Sequence, residues 1–278
     1  MVSTFSLPEL RCILPRVTLS VVLITQNEEG NLPRTLESVM PLVRDGKGEI
    51  IVVDSGSTDR TVEIAQSFGA KVLVEVWKGF AAQKNSAMDK ASMDWVLQLD
   101  ADERLEPELA SEIEIALKGR ATISGFCIPR KNFFLGRWIR HGGFYPDPKL
   151  RLIPRGAGRF EECGAHPTIK VNGPTRTLSN ALLHDAYPTL RGYIDHMNSY
   201  SSMGAEVAVG KGHRRFSVGK IVIRPLLTFV YNYFIRLGFL DGREGLLLHL
   251  YHSAYVSWKY AKAWELSRSN AANNVSKD

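Results

Sequence analysis

Apolar and polar positions along the first 118 residues fall into blocks that predict strands and helices in turn. Leu19-Ser20-Val21-Val22-Leu23-Ile24-Thr25 is a run of buried-strand type, and Gln26-Asn27-Glu28-Glu29-Gly30 follows as a polar loop. Asn31 with Pro33 behind it has the signature of a helix N-cap, and Leu32, Leu36, Val39, Met40 and Val43 then recur on one helical face until Gly46. A second strand over 49–53 ends in Asp54-Ser55-Gly56-Ser57-Thr58-Asp59, and its helix, about 60–68, stops at Gly69, a residue suited to the left-handed turn past a helix end. The third strand, 71–76, leads through Trp77-Lys78-Gly79-Phe80 into a helix carrying Gln83, Lys84 and Asn85. The fourth, from Trp95 to Leu99, runs into Asp100, Asp102 and Glu103, three carboxylates within four residues, ahead of a helix over 107–118. Strands alternating with helices predict an α/β fold with a mostly parallel sheet and right-handed crossovers. The acids then fall at the carboxyl end of a central strand, where such sheets bind ligands.

Beyond residue 119 the pattern changes. Residues 125–130 read as a further strand, and 133–147 gather aromatic, basic and glycine residues, with Trp138, Arg140, His141, Tyr145 and Asp147 among them. Aromatic faces stack on sugar rings and Arg or His binds hydroxyl and phosphate groups, so this stretch is a candidate acceptor surface; the plainer alternative is a loop packed by its own aromatics. A helix begins near 190 with Tyr193, Met197 and Tyr200 on one side, and two more, over 221–240 and 245–264, are joined by residues 238–244. The last two are unusually aromatic and aliphatic for a solvent-facing pair, with basic residues at their edges, which predicts helices lying in a membrane interface or packed against the domain or a second copy in a homodimer. His249 and His252 share a helix face with no acid near them in sequence and read as packing residues.

Composition is that of a folded globular chain, 44% hydrophobic and 23% charged over 278 residues. The charge is divided: 12 Lys/Arg against 19 Asp/Glu in residues 1–119 give −7, and 23 against 10 in 120–278 give +13. The second half therefore faces something anionic, and no nucleic-acid recognition motif accompanies it. Cys12, Cys127 and Cys163 have no metal-like spacing and suit a reducing compartment. Pro8, Glu9 and Arg11 break the first fifteen residues, which do not read as a secretory signal. No apolar run reaches the roughly 18–20 residues of a spanning helix; the nearest, 221–240, is interrupted by Arg224, Pro225, Asn232 and Arg236.

Asp100 and Asp102, spaced i, i+2 at a strand end, can both address one hard divalent cation. The loop after the first strand is acidic and lacks the G-x-G-x-x-G of a dinucleotide site, so a bound diphosphate needs charge from elsewhere: a cation on Asp100 and Asp102, aided by Lys78 or Lys84. Ser20 to Glu29, then Val52-Val53-Asp54-Ser55-Gly56-Ser57-Thr58-Asp59, then Asp100-Ala101-Asp102 resemble, in order and spacing, the inverting family 2 glycosyltransferases. The resemblance implies a GT-A type, Rossmann-like fold, a UDP-sugar donor and Mg²⁺ or Mn²⁺. It places Thr25, Asn27, Glu28 and Asp54 at the ribose and base, Asp102 as main metal ligand and Asp100 near the ribose or metal; Lys84 is a candidate phosphate contact. On the residues alone, Asn27 and Glu28 also read as a helix-capping loop, and Asp54 to Asp59 as a turn.

Residues 133–155 with Phe160 further resemble lipopolysaccharide core transferases that add glucose to an inner-core heptose, which implies a lipid-linked saccharide acceptor met by Arg140, His141, Tyr145 and His166. Inverting transfer needs a general base at the acceptor hydroxyl. In the family a carboxylate after a Gly-Arg-Phe-like stretch does this; here Gly158-Arg159-Phe160-Glu161-Glu162-Cys163-Gly164-Ala165-His166-Pro167 has Pro167 where relatives commonly have Glu, and Asp147, Glu162, Glu161 and His166 stand as candidates. The expected organisation is a catalytic domain over 1–190, with a nucleotide-sugar half at about 17–118 and an acceptor half at about 119–190, then a helical extension over 191–278 that meets the membrane through 211–264. The enzyme is expected in the cytoplasm, peripheral on the inner face of a bacterial membrane. A sugar nucleotidyltransferase, a transferase for another envelope glycan and a non-catalytic carbohydrate-binding scaffold are the competing readings.

Overall fold

The computed structural model describes residues 17–119, 123–161 and 167–275. Leu19–Thr25 (β1), Gly48–Asp54 (β2), Lys71–Val74 (β3) and Trp95–Asp100 (β4) form the parallel half of a seven-stranded sheet, linked by Leu32–Val43 (α1), Thr61–Ser67 (α2) and Phe80–Asp89 (α3). Glu103–Arg104 (β5) and Pro107–Lys118 (α4) follow, then Gly125–Ile128 (β6), Arg130–Phe134 (β7), Arg137–Trp138 (β8) and Lys149–Pro154 (β9). Gly158–Glu161 (β10) pairs with Thr168–Val171 (β11) as a separate hairpin, and Thr175–Thr177 (β12) and Leu182–Tyr187 (β13) complete the strands. The large sheet has the order β12-β6-β9-β4-β1-β2-β3, with β9 antiparallel to both its neighbours. A second sheet, β5-β13-β7-β8, follows on from the carboxyl end of β4.

Alternation along β1 decides which side each residue faces. Leu19, Val21 and Leu23 pack with Leu36, Val39, Leu109 and Ile113 of α1 and α4, whereas Val22 packs with Ile51, Val53, Val96 and the α3 residues Ala87 and Met88. Each such fully buried side chain contributes about 1.5–3 kcal/mol, and with both faces covered the strands need no polar alternation. Asn31 does not cap α1: its side chain donates to Glu28 Oε2 at 3.0 Å instead, because the loop before the helix folds back on itself. The third strand closes at Val74, two residues short of expectation, and Val76 and Trp77 are exposed.

Leu190–Gly210 (α5) lies along Gly242–Val275 (α7), and Tyr193 and Met197 of α5 join Phe134, Ile139 and Leu248 in a core of their own. Between them, π-helical turns at Gly219–Ile223 and Tyr231–Ile235 flank Arg224–Val230 (α6), and a 3₁₀ turn at Gly238–Asp241 enters α7. The C-terminal helices are thus packed on the second sheet and its loops. His141 at the end of the β7–β8 region donates its backbone N–H to Asp241 Oδ2 at 2.8 Å, and Gly142 N–H donates to the Arg236 carbonyl at 2.9 Å. Gly142 has φ +66°, and a Cβ there would lie 1.9 Å from His249, so only glycine lets the loop approach α7 this closely.

Candidate active site

The carboxyl ends of β1, β2 and β4 lie side by side, with Thr25 opposite Asp54 and Ile24 opposite Asp100. This register brings the loop after β1 against the loop after β2. Asn27 Oδ1 accepts from Thr58 N–H at 2.8 Å and Asn27 N–H donates to Ser57 Oγ at 2.8 Å, while Glu28 N–H donates to Thr61 Oγ1 at 2.7 Å. Asp54 is fully buried: it accepts from Thr25 Oγ1 at 2.8 Å, from the N–H groups of Gly56 and Ser57 at 2.9 and 2.7 Å, and from Ser57 Oγ at 2.5 Å. Thr25, Asn27 and Asp54 are therefore brought together, and what their bonds shape is the loop itself. Gln83 of α3 reaches the same corner, donating to Ser55 Oγ at 3.2 Å; its buried Oε1 has no partner among the described residues. That open acceptor was not anticipated from the sequence.

The two aspartates of the Asp100-Ala101-Asp102 stretch differ sharply. Asp100 accepts from Lys84 Nζ at 2.5 Å and from Arg151 Nη2 at 2.8 Å. Burial disfavours its charge, but Arg151 and Lys84 outweigh that and hold its carboxyl well below the usual range. Arg151, itself buried, also donates to Glu103 Oε1 at 2.6 Å and to Gln98 Oε1. Glu103 continues the chain to Arg130 at 3.2 Å, Arg130 to Asp147 at 2.6 Å, and Asp147 to Lys149 at 2.8 Å. Alternating charges thus run from Lys84 to Lys149, each ion neutralised by its neighbours. Asp147 belongs to this chain, and although burial raises its carboxyl, Arg130 and Lys149 bring it below its ordinary value, which leaves it a weak proton acceptor.

Among the described residues Asp102 has no Lys or Arg partner within ion-pair distance; its Oδ2 faces His184 Nε2 at 3.4 Å. Asn132 fixes the imidazole. Its amide N–H₂ donates to the Phe144 carbonyl at 2.9 Å, so its Oδ1 points at His184 Nδ1, 2.7 Å away, and that nitrogen must carry a proton. In neutral His184 the Nε2 lone pair then faces Asp102; burial opposes charge on the ring, but the Asp102 carboxylate outweighs it and raises the imidazole above its ordinary value. Glu28 stands nearby: burial first, then Asp102, Asp59 and Asp100, raises its carboxyl against the opposing Asn31 hydrogen bond. An oxygen donor, an imidazole held by a neighbouring amide and a surplus of negative field together fit a divalent cation whose other positions go to water and phosphate oxygens. Among the described residues no three His, Cys, Asp or Glu side chains cluster for a metal. Lys84 and Arg151 hold Asp100, while Asp102 stands outside that network against His184. His184 went unnoticed in the sequence; its signal is a lone histidine in the apolar run Ala181-Leu182-Leu183, meaningful once β13 is known to pair with β5 beside Asp102.

At the edge of the second sheet Trp138 is the hub: the Arg140 guanidinium lies 4.2 Å above its ring and Tyr145 meets its edge at 5.2 Å. His141 Nδ1 lies 2.9 Å from Asp241 Oδ1 and is tied to the C-terminal helices. Tyr187 and Tyr200 flank His196, at 5.4 and 4.1 Å between rings; burial and then Tyr200 and Asp102 raise the Tyr187 phenol, which places this aromatic wall beside the Asp102 end of the site. Glu161 is exposed at the end of β10, while Glu162 and His166 lie outside the described residues, as do Cys12, Cys163 and the first sixteen residues. Phe160, just before Glu161, packs under Lys84 Nζ at 5.3 Å and is held by Asn85 through its backbone at 2.8 and 2.9 Å.

A mostly parallel sheet flanked by helices, with an acidic strand end and a second sheet following on from it, is the GT-A arrangement of glycosyltransferases. The model of glycosyl transferase family 2 matches residues 20–176, and the chain belongs to that family. It is 30% identical over 271 residues to the lipopolysaccharide core biosynthesis glycosyltransferase LpsC of Rhizobium meliloti, covering 95% of this chain and 98% of that one. It is also 30% identical over 260 residues to glycosyltransferase RT0209 of Rickettsia typhi, covering 90% and 87%. Among solved structures, TarS of S. aureus in complex with UDP superposes with a TM-score of 0.48 at 16% identity, covering 91% of this chain and 92% of that one. β13, α5 and the helices after it lie beyond the matched family region, so His184 and the aromatic wall are supplied from outside it.

Proposed function

We propose that this protein transfers a hexose, with glucose as the first choice, from a UDP-sugar to a lipid-linked saccharide with inversion at the sugar carbon. The observation that carries the reading is the Asp102–His184 pair, with the imidazole turned toward the carboxylate by Asn132 at the carboxyl end of the sheet. Similarity to LpsC along nearly its whole length supports a lipopolysaccharide core acceptor at the inner face of the cytoplasmic membrane; another envelope glycan would fit the same residues. Asp102 and His184 would hold Mg²⁺ or Mn²⁺, which supplies positive charge to the departing diphosphate. Lys84 adds a fixed cation at the same end, already positioned by Asp100. Thr25, Asn27, Glu28 and Asp54 shape the base and ribose pocket, where Gln83 Oε1 is an unused acceptor. The base comes from Glu161, next to the Phe160 that packs under Lys84, in preference to Asp147, which is held in ion pairs; Glu162 remains the second carboxylate of that stretch in the sequence. Arg140, His141 and Tyr145, with Tyr187 and Tyr200, make up the acceptor wall.

The test is nucleoside diphosphate release from a panel of sugar nucleotides with and without Mn²⁺. Metal-dependent UDP release from one donor is the expected result. Pyrophosphate release would instead identify a nucleotidyltransferase, and absence of donor binding would remove the assignment of the pocket.

A further inference from the structure

The segment between α5 and α7 presents an apolar stripe that no described residue covers. Val222 and Ile223, Leu226 and Leu227, Val230 and Tyr231, then Phe234 and Ile235 are all exposed, pairs repeating every four residues. On a regular helix of 3.6 residues per turn a four-residue repeat would wander by about 40° per repeat. The wider π-helical turns at both ends of α6 take up that drift and keep the pairs in line. The opposite side, with Pro225 buried, packs on α7. Phe239 and Leu240, 43% and 50% exposed, extend the stripe at the turn into α7. An uncovered face of this size on a folded domain marks a binding surface.

Charge identifies the occupant. Residues 211–243 hold Lys211, Arg214, Arg215, Lys220, Arg224, Arg236 and Arg243 against one acid, Asp241, and that acid is buried on His141. An apolar stripe edged by cations and free of exposed carboxylates matches an anionic bilayer surface, whose headgroups the cations meet while the stripe enters the acyl boundary. No described helix is long and apolar enough to cross a membrane. We infer that residues 216–240 form a monotopic docking ridge for anionic phospholipid, lying in the membrane plane. The ridge is fastened to the acceptor side of the site: Arg236 O accepts from Gly142 N–H, and Asp241 at its end grips the backbone of Arg140 and His141. Docking therefore sets the height of the acceptor loop above the lipid surface.

The full-length chain is sedimented with vesicles of phosphatidylcholine alone and of phosphatidylcholine mixed with phosphatidylglycerol, without donor or metal, so the outcome is independent of the transferase reading. Binding to the anionic vesicles is expected, weakening as salt rises. The double variant Leu227→Glu, Ile235→Glu should lose at least tenfold in partitioning while its circular dichroism is unchanged, and Arg214→Glu, Arg215→Glu should lose the preference for phosphatidylglycerol. Because the stripe is already exposed to water, neither pair threatens the core. No wild-type binding to anionic vesicles, or equal binding by the stripe variant, overturns the inference. So does a stable dimer by light scattering that the stripe variant turns into a monomer while vesicles capture neither, since a second copy would then be the occupant.

Discussion

Asp100 and Asp102 stand two residues apart and should respond oppositely to the same substitution. In Asp100→Asn the shape is kept, but Lys84 and Arg151 lose the carboxylate they share, and Arg151 is 5% exposed. Removing one partner of a buried ion pair costs about 3–5 kcal/mol. Asp100 itself is partly open to solvent at 29%, and Arg151 retains Glu103, so the lower end, about 3 kcal/mol, is the working figure. That corresponds to a fall in melting temperature of roughly 6–12 °C for a domain somewhat above 200 residues. Asp102→Asn removes only a 3.4 Å contact with His184 at a site 26% exposed, which is worth at most about 1 kcal/mol. Its effect falls on chemistry: Mn²⁺-dependent diphosphate release should drop to background. Urea unfolding of both variants, with donor turnover measured on each, separates the roles. Equal destabilisation of the two, or Asp102→Asn retaining metal-dependent turnover, would refute the division of labour between them.

Asn132→Ala should weaken Mn²⁺ binding about 10–100-fold by freeing the imidazole, read by titrating metal against donor turnover, and His184→Ala should weaken it at least as much. Gly142→Ala drives a methyl into His249 at a backbone angle of φ +66° and should destabilise the contact between acceptor loop and α7 by about 1–3 kcal/mol, visible in thermal melts. Glu75 is bonded to Lys78, Lys90 and Ser86, in that order of effect, which lowers its carboxyl to about 2. A depressed carboxylate stabilises fully above its unfolded value of 4.5 and loses that contribution as pH falls toward 2, so the stability advantage of wild type over Glu75→Gln should shrink across that window in acid titrations.

How much of this was legible in the chain follows from the range of the forces involved. β1 and α4 came out residue for residue, β2 and β4 within a residue, and α1 along its whole apolar face though without the Asn31 cap, because strand and helix periodicity are local and both sheet faces are apolar. The order of the three family motifs likewise announced the family, since their loops directly follow those strands. The partner of Asp102 was not legible: His184 lies 82 positions away and arrives through the pairing of β13 with β5, a contact no periodicity encodes. The motif assigned Asp100 and Asp102 different roles, but not the cations that separate them: Arg151 on the antiparallel strand β9 and Lys84 on α3 claim Asp100 and leave Asp102 to His184. The apolar, basic composition of residues 211–264 was plain from the sequence, but which side faces outward was decided by packing on α7, aided by the π turns that align the exposed pairs. Local patterning thus determined the elements and their motifs, while long-range pairing of charges and strands decided which side chains remain free to act.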